Sequence, residues 1–270
     1  MKLGIHLRNM GTAATRDLIR DCARIADNLP IDELWVFDHL AIPPAQSEGS
    51  GGRYVDAMAT LAFVAAVTEH IAIGTRILVL PFRPPLVMAK LVASVQELSG
   101  GRFQLGVGIG AIEEEFAALG VEKSRRGALA DEALELLLRC FESDEVTING
   151  ETVLFLPRPE RPPIFVGGKG DHAYKRAARF AEGWMASGPA EPKVLQAPII
   201  ELRRHFEEAG KHKPEVGVSD LSTLEDPALL SDRIAALEEI GVTRIAFRFP
   251  YDSAAEFGRH AEHIARLSDV

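Results

Sequence analysis

Asp38 and His39 directly follow the apolar run Leu34-Trp35-Val36-Phe37. A histidine titrates near neutrality and can accept or donate a proton. The carboxylate beside it either orients the ring or faces inward. The plainer reading is a histidine satisfied by a loop carbonyl. A second set is Gly167-Gly168-Lys169-Gly170, placed between an apolar triplet and a helical stretch that starts at Asp171. Glycines let backbone N–H groups approach an anion, and a helix N-terminus favours negative charge. The same glycines also make an ordinary strand-to-helix turn. A third set is Gly106-Val107-Gly108-Ile109-Gly110. A dinucleotide fingerprint needs its glycines at the opening of a helix. Here they straddle the end of a strand, which excludes that site. Bare backbone at this place offers a flat ring a surface; the alternative is tight packing.

Further candidates are single residues. Arg76, Arg83, Arg125 and Arg126 are able to bind anions, although the last two open a helix. Glu113, Glu114 and Glu115 read as a solvated helical face with one carboxylate turned inward. His6 lies on the first strand and reaches a site only if it faces the interior. His172, His205, His212, His260 and His263 lack metal-ligand spacing, so no metal is expected.

Alternating elements position these groups. Residues 71–110 read strand, loop, helix, turn, strand. Pro84-Pro85 open the helix, where proline costs little. Leu86, Val87, Leu91, Val95 and Leu98 mark its expected inward stripe, and Gly100-Gly101 ends it. Two buried strands joined by a helix form a βαβ unit, which builds parallel sheets. The pattern recurs along the chain, with strands expected at 2–7, 33–37, 71–80, 103–107, 164–166, 183–187, 215–219 and 244–249. Helices are expected after each. Asn149-Gly150 predicts a small extra hairpin near 144–156, outside the main series. Eight strand–helix units in 270 residues predict one domain over 1–270. The predicted fold is an α/β (β/α)8 TIM barrel, whose typical length is ~250 residues; an open doubly wound sheet is the runner-up. Chemistry in such folds sits where strands end.

Composition bounds the function. The chain is 47% hydrophobic, enough for a full core, and carries a net charge of -9. That charge argues against a general affinity for nucleic acid or anionic membrane. Cys22 and Cys140 fall on helix faces and suit core packing better than a disulfide, as in a reducing cytosol. The N-terminus reads as a strand and lacks a signal peptide's apolar segment. No apolar run reaches the length of a membrane span. The expected location is cytoplasmic.

Assembled, these pieces resemble the bacterial luciferase-like flavin monooxygenase superfamily, most closely its coenzyme F420-dependent branch. The matching segments are LWVFDHL at 34–40, IGTRILVLPFRPPLVMAK at 73–90, LSGGRFQLGVGIG at 98–110 and EEEFAALG at 113–120. RRGALADEAL at 125–134, PPIFVGGKG at 162–170 and AARFAEGW at 177–184 continue the match. Their order and spacing are more specific than any single piece.

The resemblance implies a (β/α)8 barrel with a deazaflavin or flavin ring across its mouth. It implies that Gly74, Thr75, Arg76 and Ile77 form a bulge behind the ring, with a cis peptide between Arg76 and Ile77. Gly108 and Gly110 would lie beside the ring, and Gly167, Gly168 and Lys169 would hold the cofactor phosphate. His39 would bond near the cofactor or protonate the substrate, with Asp38 as its catalytic neighbour. Glu182, Gly183 and Trp184 are left as structural. The leading reading is hydride transfer between coenzyme F420 and a small organic substrate. The runner-up is a reduced-FMN monooxygenase served by a separate reductase. A third class is a non-catalytic cofactor-binding protein; the Asp38-His39 pair and the loop at 47–53 favour an enzyme. The resemblance also implies a homodimer. Ala111 stands where the sugar-phosphate dehydrogenase branch carries glutamate, and Ile42-Pro43 where it carries tryptophan, which argues against that substrate. The luciferase insertion is absent, which makes a long-chain aldehyde pocket a poor fit.

Overall fold

The computed structural model describes residues 1–220 and 227–269. Among them, eight parallel strands close into a barrel: β1 (Lys2–His6), β2 (Glu33–Val36), β3 (Ala72–Val79), β4 (Phe103–Gly108), β7 (Ile164–Gly168), β8 (Gly183–Ala186), β9 (Glu215–Asp220) and β10 (Arg244–Phe247). Their order around the wall is β1-β10-β9-β8-β7-β4-β3-β2. The two remaining strands, β5 (Glu145–Ile148) and β6 (Glu151–Leu154), form the expected antiparallel hairpin. Its turn has positive φ at Asn149 (52°) and Gly150 (85°), the conformation a two-residue turn of this kind requires.

The helices cover the outside of the wall. They are α1 (Arg16–Asp27), α2 (Ala57–Ala65), α3 (Pro85–Leu98), α4 (Glu113–Ala118), α5 (Arg126–Glu142), α6 (Asp171–Phe180), α7 (Pro192–Glu208), α8 (Pro227–Ile240) and α9 (Ala254–Ala265). Short polar side chains start several of them. Thr15 accepts from the Leu18 N–H, Asp56 from Ala59 and Ser253 from Glu256, each satisfying an orphan donor. The expected stripe of α3 needs correction. Leu86, Val87 and Leu98 are exposed, while Met88, Ala89, Val92, Ala93, Val95 and Gln96 face inward. Hydrophobicity was distributed all round this helix, so periodicity alone misplaced its face. The polar Gln96 is buried because it accepts from the Phe103 N–H and donates to the Glu160 carbonyl. Cys22 and Cys140 are free and buried.

The barrel interior is filled in layers, because alternate strand residues point inward. Lowest lies a polar layer, where Arg244 binds Glu33 and the Gln104 side-chain carbonyl and touches Glu215. Above it Trp35, Phe165, Met185 and Ala246 form an apolar layer. Glycines on neighbouring strands make room for these large groups. A Cβ on Gly74 would stand 2.4 Å from Trp35, and one on Gly106 would stand 2.1 Å from the Thr75 carbonyl. The top layer carries His6, Arg76, Ile77 and Ser219 and opens to the C-terminal ends of the strands. Among the described residues no helix is long and apolar enough to cross a membrane.

Candidate functional site

The mouth of the barrel holds a cavity of about 550 Å³, within the ordinary range for a small-molecule site. Ile77 forms one side. It lies within the β3–β4 register shift between Thr75 and Leu78, and the Arg76-Ile77 peptide is cis. Beside it lies the glycine turn, where a Cβ on Gly167 would stand 2.9 Å from Ile77. Gly168 has φ 130° and Gly170 φ 78°, a backbone that other residues rarely adopt. Met185 and Ala186 complete the apolar floor, and Phe37 and His6 close the far wall.

A hydrogen-bonded chain crosses the floor. Arg76 Nε donates to Ser219 Oγ at 2.7 Å, and Ser219 Oγ lies 3.1 Å from His6 Nε2. Ser219 Oγ accepts from Arg76 and keeps a second lone pair and a proton, so it can pair with either neutral form of the His6 ring. His6 Nδ1 is buried without a partner. The ring stacks flat on Phe37, with centroids 4.6 Å apart. Burial, then the charges of Arg76 and Arg248, hold the His6 pKa well below its usual value. Arg76 is buried too, and burial pushes it down to about 10, so it stays charged at neutral pH. Its Nη1 has no partner.

The depressed His6 pKa has a testable consequence. Unfolded chains protonate this histidine at about pH 6.5; the folded protein resists. The stability His6 contributes is therefore complete above that pH and is lost as pH falls below it. The wild type should lose up to ~1.4 kcal/mol per pH unit in that window relative to His6→Asn. Denaturant titrations across pH 5–8 check this, and a pH-independent difference removes the account.

The other sequence candidates occupy distinct places. Arg76, Ile77, Gly167 and Gly168 line the cavity. Lys169 is exposed beside it, with its ammonium over the Gly188 turn. Gly74 and Thr75 lie lower in the wall, and the Thr75 hydroxyl donates to the Gly106 carbonyl at 2.7 Å. Gly108 leaves the space that the Ile77 side chain fills, and Gly110 packs against Phe116 and Val79. These two glycines shape Ile77 and its surroundings.

Asp38 neither orients His39 nor faces the cavity. It takes two hydrogen bonds from Arg83, both 2.8 Å, and one from the Val79 N–H. Arg83 also donates to Asp56 at 2.7 Å. Held between two carboxylates, Arg83 is not the free anion site its sequence position suggested. Instead it fastens the start of α2 to the ends of β2 and β3.

The partner of His39 is Glu115, the one carboxylate of the 113–115 run that turns inward, as the sequence led us to expect. Its Oε2 lies 2.9 Å from His39 Nδ1, and its Oε1 accepts from the N–H groups of Leu40 and Ala41. Glu115 and Phe116 are the buried pair of α4. The apolar neighbour was the only available signal. With both carboxylate oxygens accepting, we assign the His39 proton to Nδ1, leaving the Nε2 lone pair available. The ring stands beside Tyr54, 4.9 Å between centroids, at the rim just beyond Phe37.

A second cavity of about 470 Å³ adjoins the first and shares His6, Phe37 and Arg248 with it. It extends toward Met10, Phe249 and Tyr251. The mouth thus offers two compartments on either side of the His6–Phe37 stack.

Comparison with known proteins accords with this arrangement. Residues 1–228 match the model of the luciferase-like monooxygenase family. An F420-dependent glucose-6-phosphate dehydrogenase of Amycolatopsis mediterranei is 32% identical over 268 residues, covering 94% of this chain and 77% of that protein. An uncharacterised protein of Mycobacterium tuberculosis is 35% identical over 210 residues, covering 74% of this chain and 70% of that one. The solved structure of an F420-dependent secondary alcohol dehydrogenase in complex with an F420-acetone adduct superposes with a TM-score of 0.80 at 18% identity, covering 98% and 97%; at that identity the likeness is one of fold. With its closed barrel and its cavity at the strand ends, the chain belongs to the luciferase-like monooxygenase family and is an oxidoreductase that works with a flavin or deazaflavin on a small molecule.

Proposed function

We propose that the protein transfers hydride between coenzyme F420 and a small organic substrate. The observation that carries this reading is the first cavity, where Ile77 and the bare Gly167-Gly168 backbone make one continuous wall beside the apolar Met185 and Ala186. The residues present fit a deazaflavin. The apolar floor of Met185 and Ala186 suits a flat ring. Arg76 lines this cavity and brings a positive charge to it. Gly167, Gly168 and Lys169, at the start of α6, suit a phosphate, since backbone N–H groups and the helix dipole both favour an anion there. When bound, the cofactor supplies the hydride chemistry, and the protein supplies position and electrostatics. Phe37 and His6 separate the ring compartment from the second cavity. His39 would hold or pass a proton through Nε2, its ring fixed by Glu115.

The relative from Amycolatopsis supports coenzyme F420 over FMN. Its sugar-phosphate substrate does not carry over, because Ala111 replaces the glutamate of that branch. The family's monooxygenase members support the second reading, a reduced-FMN oxygenase with a separate reductase. Titrating the purified chain with oxidised and reduced coenzyme F420 and FMN decides between them; tighter FMN binding overturns the first. Gly168→Val should weaken cofactor binding by roughly tenfold or more, the value of a lost charge-assisted hydrogen bond. Unchanged affinity with native circular dichroism moves the phosphate elsewhere.

A further inference from the structure

Arg248 follows β10 and stands between the two cavities, lining both. Its guanidinium lies over the Phe37 ring, 5.2 Å from the centroid. No carboxylate among the described residues lies within ion-pair distance of it, and its side chain makes no hydrogen bond among them. Arg76 is buried on Ser219 at the floor of the first cavity, and two other arginines of the mouth pair with carboxylates. Arg8 binds Asp252 and the Tyr251 and Met10 carbonyls, and Arg233 pairs with Glu191 and Asp220. Among the described residues Arg248 thus has no compensating carboxylate, in a chain whose net charge is -9. In such a chain a solvated arginine readily finds a carboxylate; this one is held over an aromatic face, an arrangement that keeps its fork available.

The second cavity shows what the fork faces. Among the described residues its ionisable lining is Arg8, Arg248, His6, whose pKa is held down, and Tyr251, whose phenol burial pushes well above its usual value, with no carboxylate. Phe37, Phe249 and Met10 supply the apolar remainder. We propose that this compartment binds a substrate with an apolar or aromatic body and a terminal carboxylate, and that Arg248 holds the carboxylate. The assignment rests on the hydride-transfer reading, because that reading gives the first cavity to the cofactor and leaves the second for substrate. A carboxylate matches the planar fork with two parallel hydrogen bonds. One free arginine suits a single negative charge better than a phosphate dianion. The shared His6–Phe37 wall would bring the far end of the molecule toward the cofactor compartment.

Calorimetric titration of the full chain with 3-phenylpropionate and with its neutral amide, each with and without coenzyme F420, tests the proposal. The wild type should bind the acid roughly tenfold tighter than the amide or better, the value of hydrogen bonds to a charged group. Arg248→Gln should abolish that preference while leaving amide binding unchanged. Arg248→Lys keeps the charge without the fork and should fall between. Because the side chain is exposed and makes no hydrogen bond, both variants should fold normally. Equal binding of acid and amide, absence of binding by both, or an acid preference that survives Arg248→Gln overturns the proposal. So does a loss of coenzyme F420 affinity in Arg248→Gln, which would assign the arginine to an anionic part of the cofactor. If the chain fails to bind coenzyme F420 yet shows an Arg248-dependent acid preference, the hydride-transfer reading fails and the carboxylate site stands.

Discussion

Arg244→Ala should destabilise the protein by about 3–5 kcal/mol, the cost of leaving a buried charge without its partner. Arg244 is 2% exposed and Glu33 1%, and they meet at 2.6 Å beneath the apolar layer of the barrel. The guanidinium also stacks on Phe165, 4.1 Å from the centroid. Its removal abandons both Glu33 and the packing. Burial raises the Glu33 pKa, while Arg244 and then Lys2 oppose that rise. A carboxyl whose folded pKa is raised contributes its stability below the unfolded pKa and loses it as pH climbs through the folded one. Without Arg244 the opposition is gone and the folded pKa climbs further. The penalty of Arg244→Ala should therefore be largest near neutrality and should shrink as acid protonates Glu33. Urea titrations of wild type and variant at several pH values check both size and sign. A loss within the ordinary surface range of about 0.5 kcal/mol would show that the pair is not needed.

His39→Ala should lower turnover by ~100-fold, within the usual range for a lost acid–base group, with little change in cofactor affinity. The expectation rests on position and on support. His39 stands at the rim beyond Phe37, and Glu115 fixes its ring through Nδ1. It lines neither the first nor the second cavity and stands at their rim, so its loss should show in turnover, with cofactor binding preserved. Glu115→Gln keeps the shape but changes the hydrogen bond that sets the tautomer, and it should move the pH profile of turnover. Wild-type turnover in His39→Ala removes the role, and an equal loss of cofactor binding would make the histidine a binding group.

The barrel was legible in the sequence because strand and helix periods alternate eight times and each turn carries its own punctuation. Asn149-Gly150 made the hairpin visible, and Pro84-Pro85 marked the start of α3. Even the glycine turn at 167–170 stood out by its type and place. Residue spacing alone could not say which partner each functional group would take. Asp38 and His39 are neighbours in the chain, yet the backbone turns their side chains apart. One goes to Arg83, 45 residues away, and the other to Glu115, 76 residues away. The inward face of α3 was misplaced because apolar residues surround that helix, and only its docking on the wall selects a side. Arg248 carried no signal at all, since it looked like one more residue of a strand running to 249. Closure of the barrel sets β10 beside β1 and β9. That places Arg248 over Phe37 from β2's end, next to His6 from β1. Local pattern determines which elements form, because the period of the apolar residues sets whether a segment can bury one face as a helix or as a strand. The site is made where the ends of distant strands converge, and that convergence is a property of the closed barrel alone.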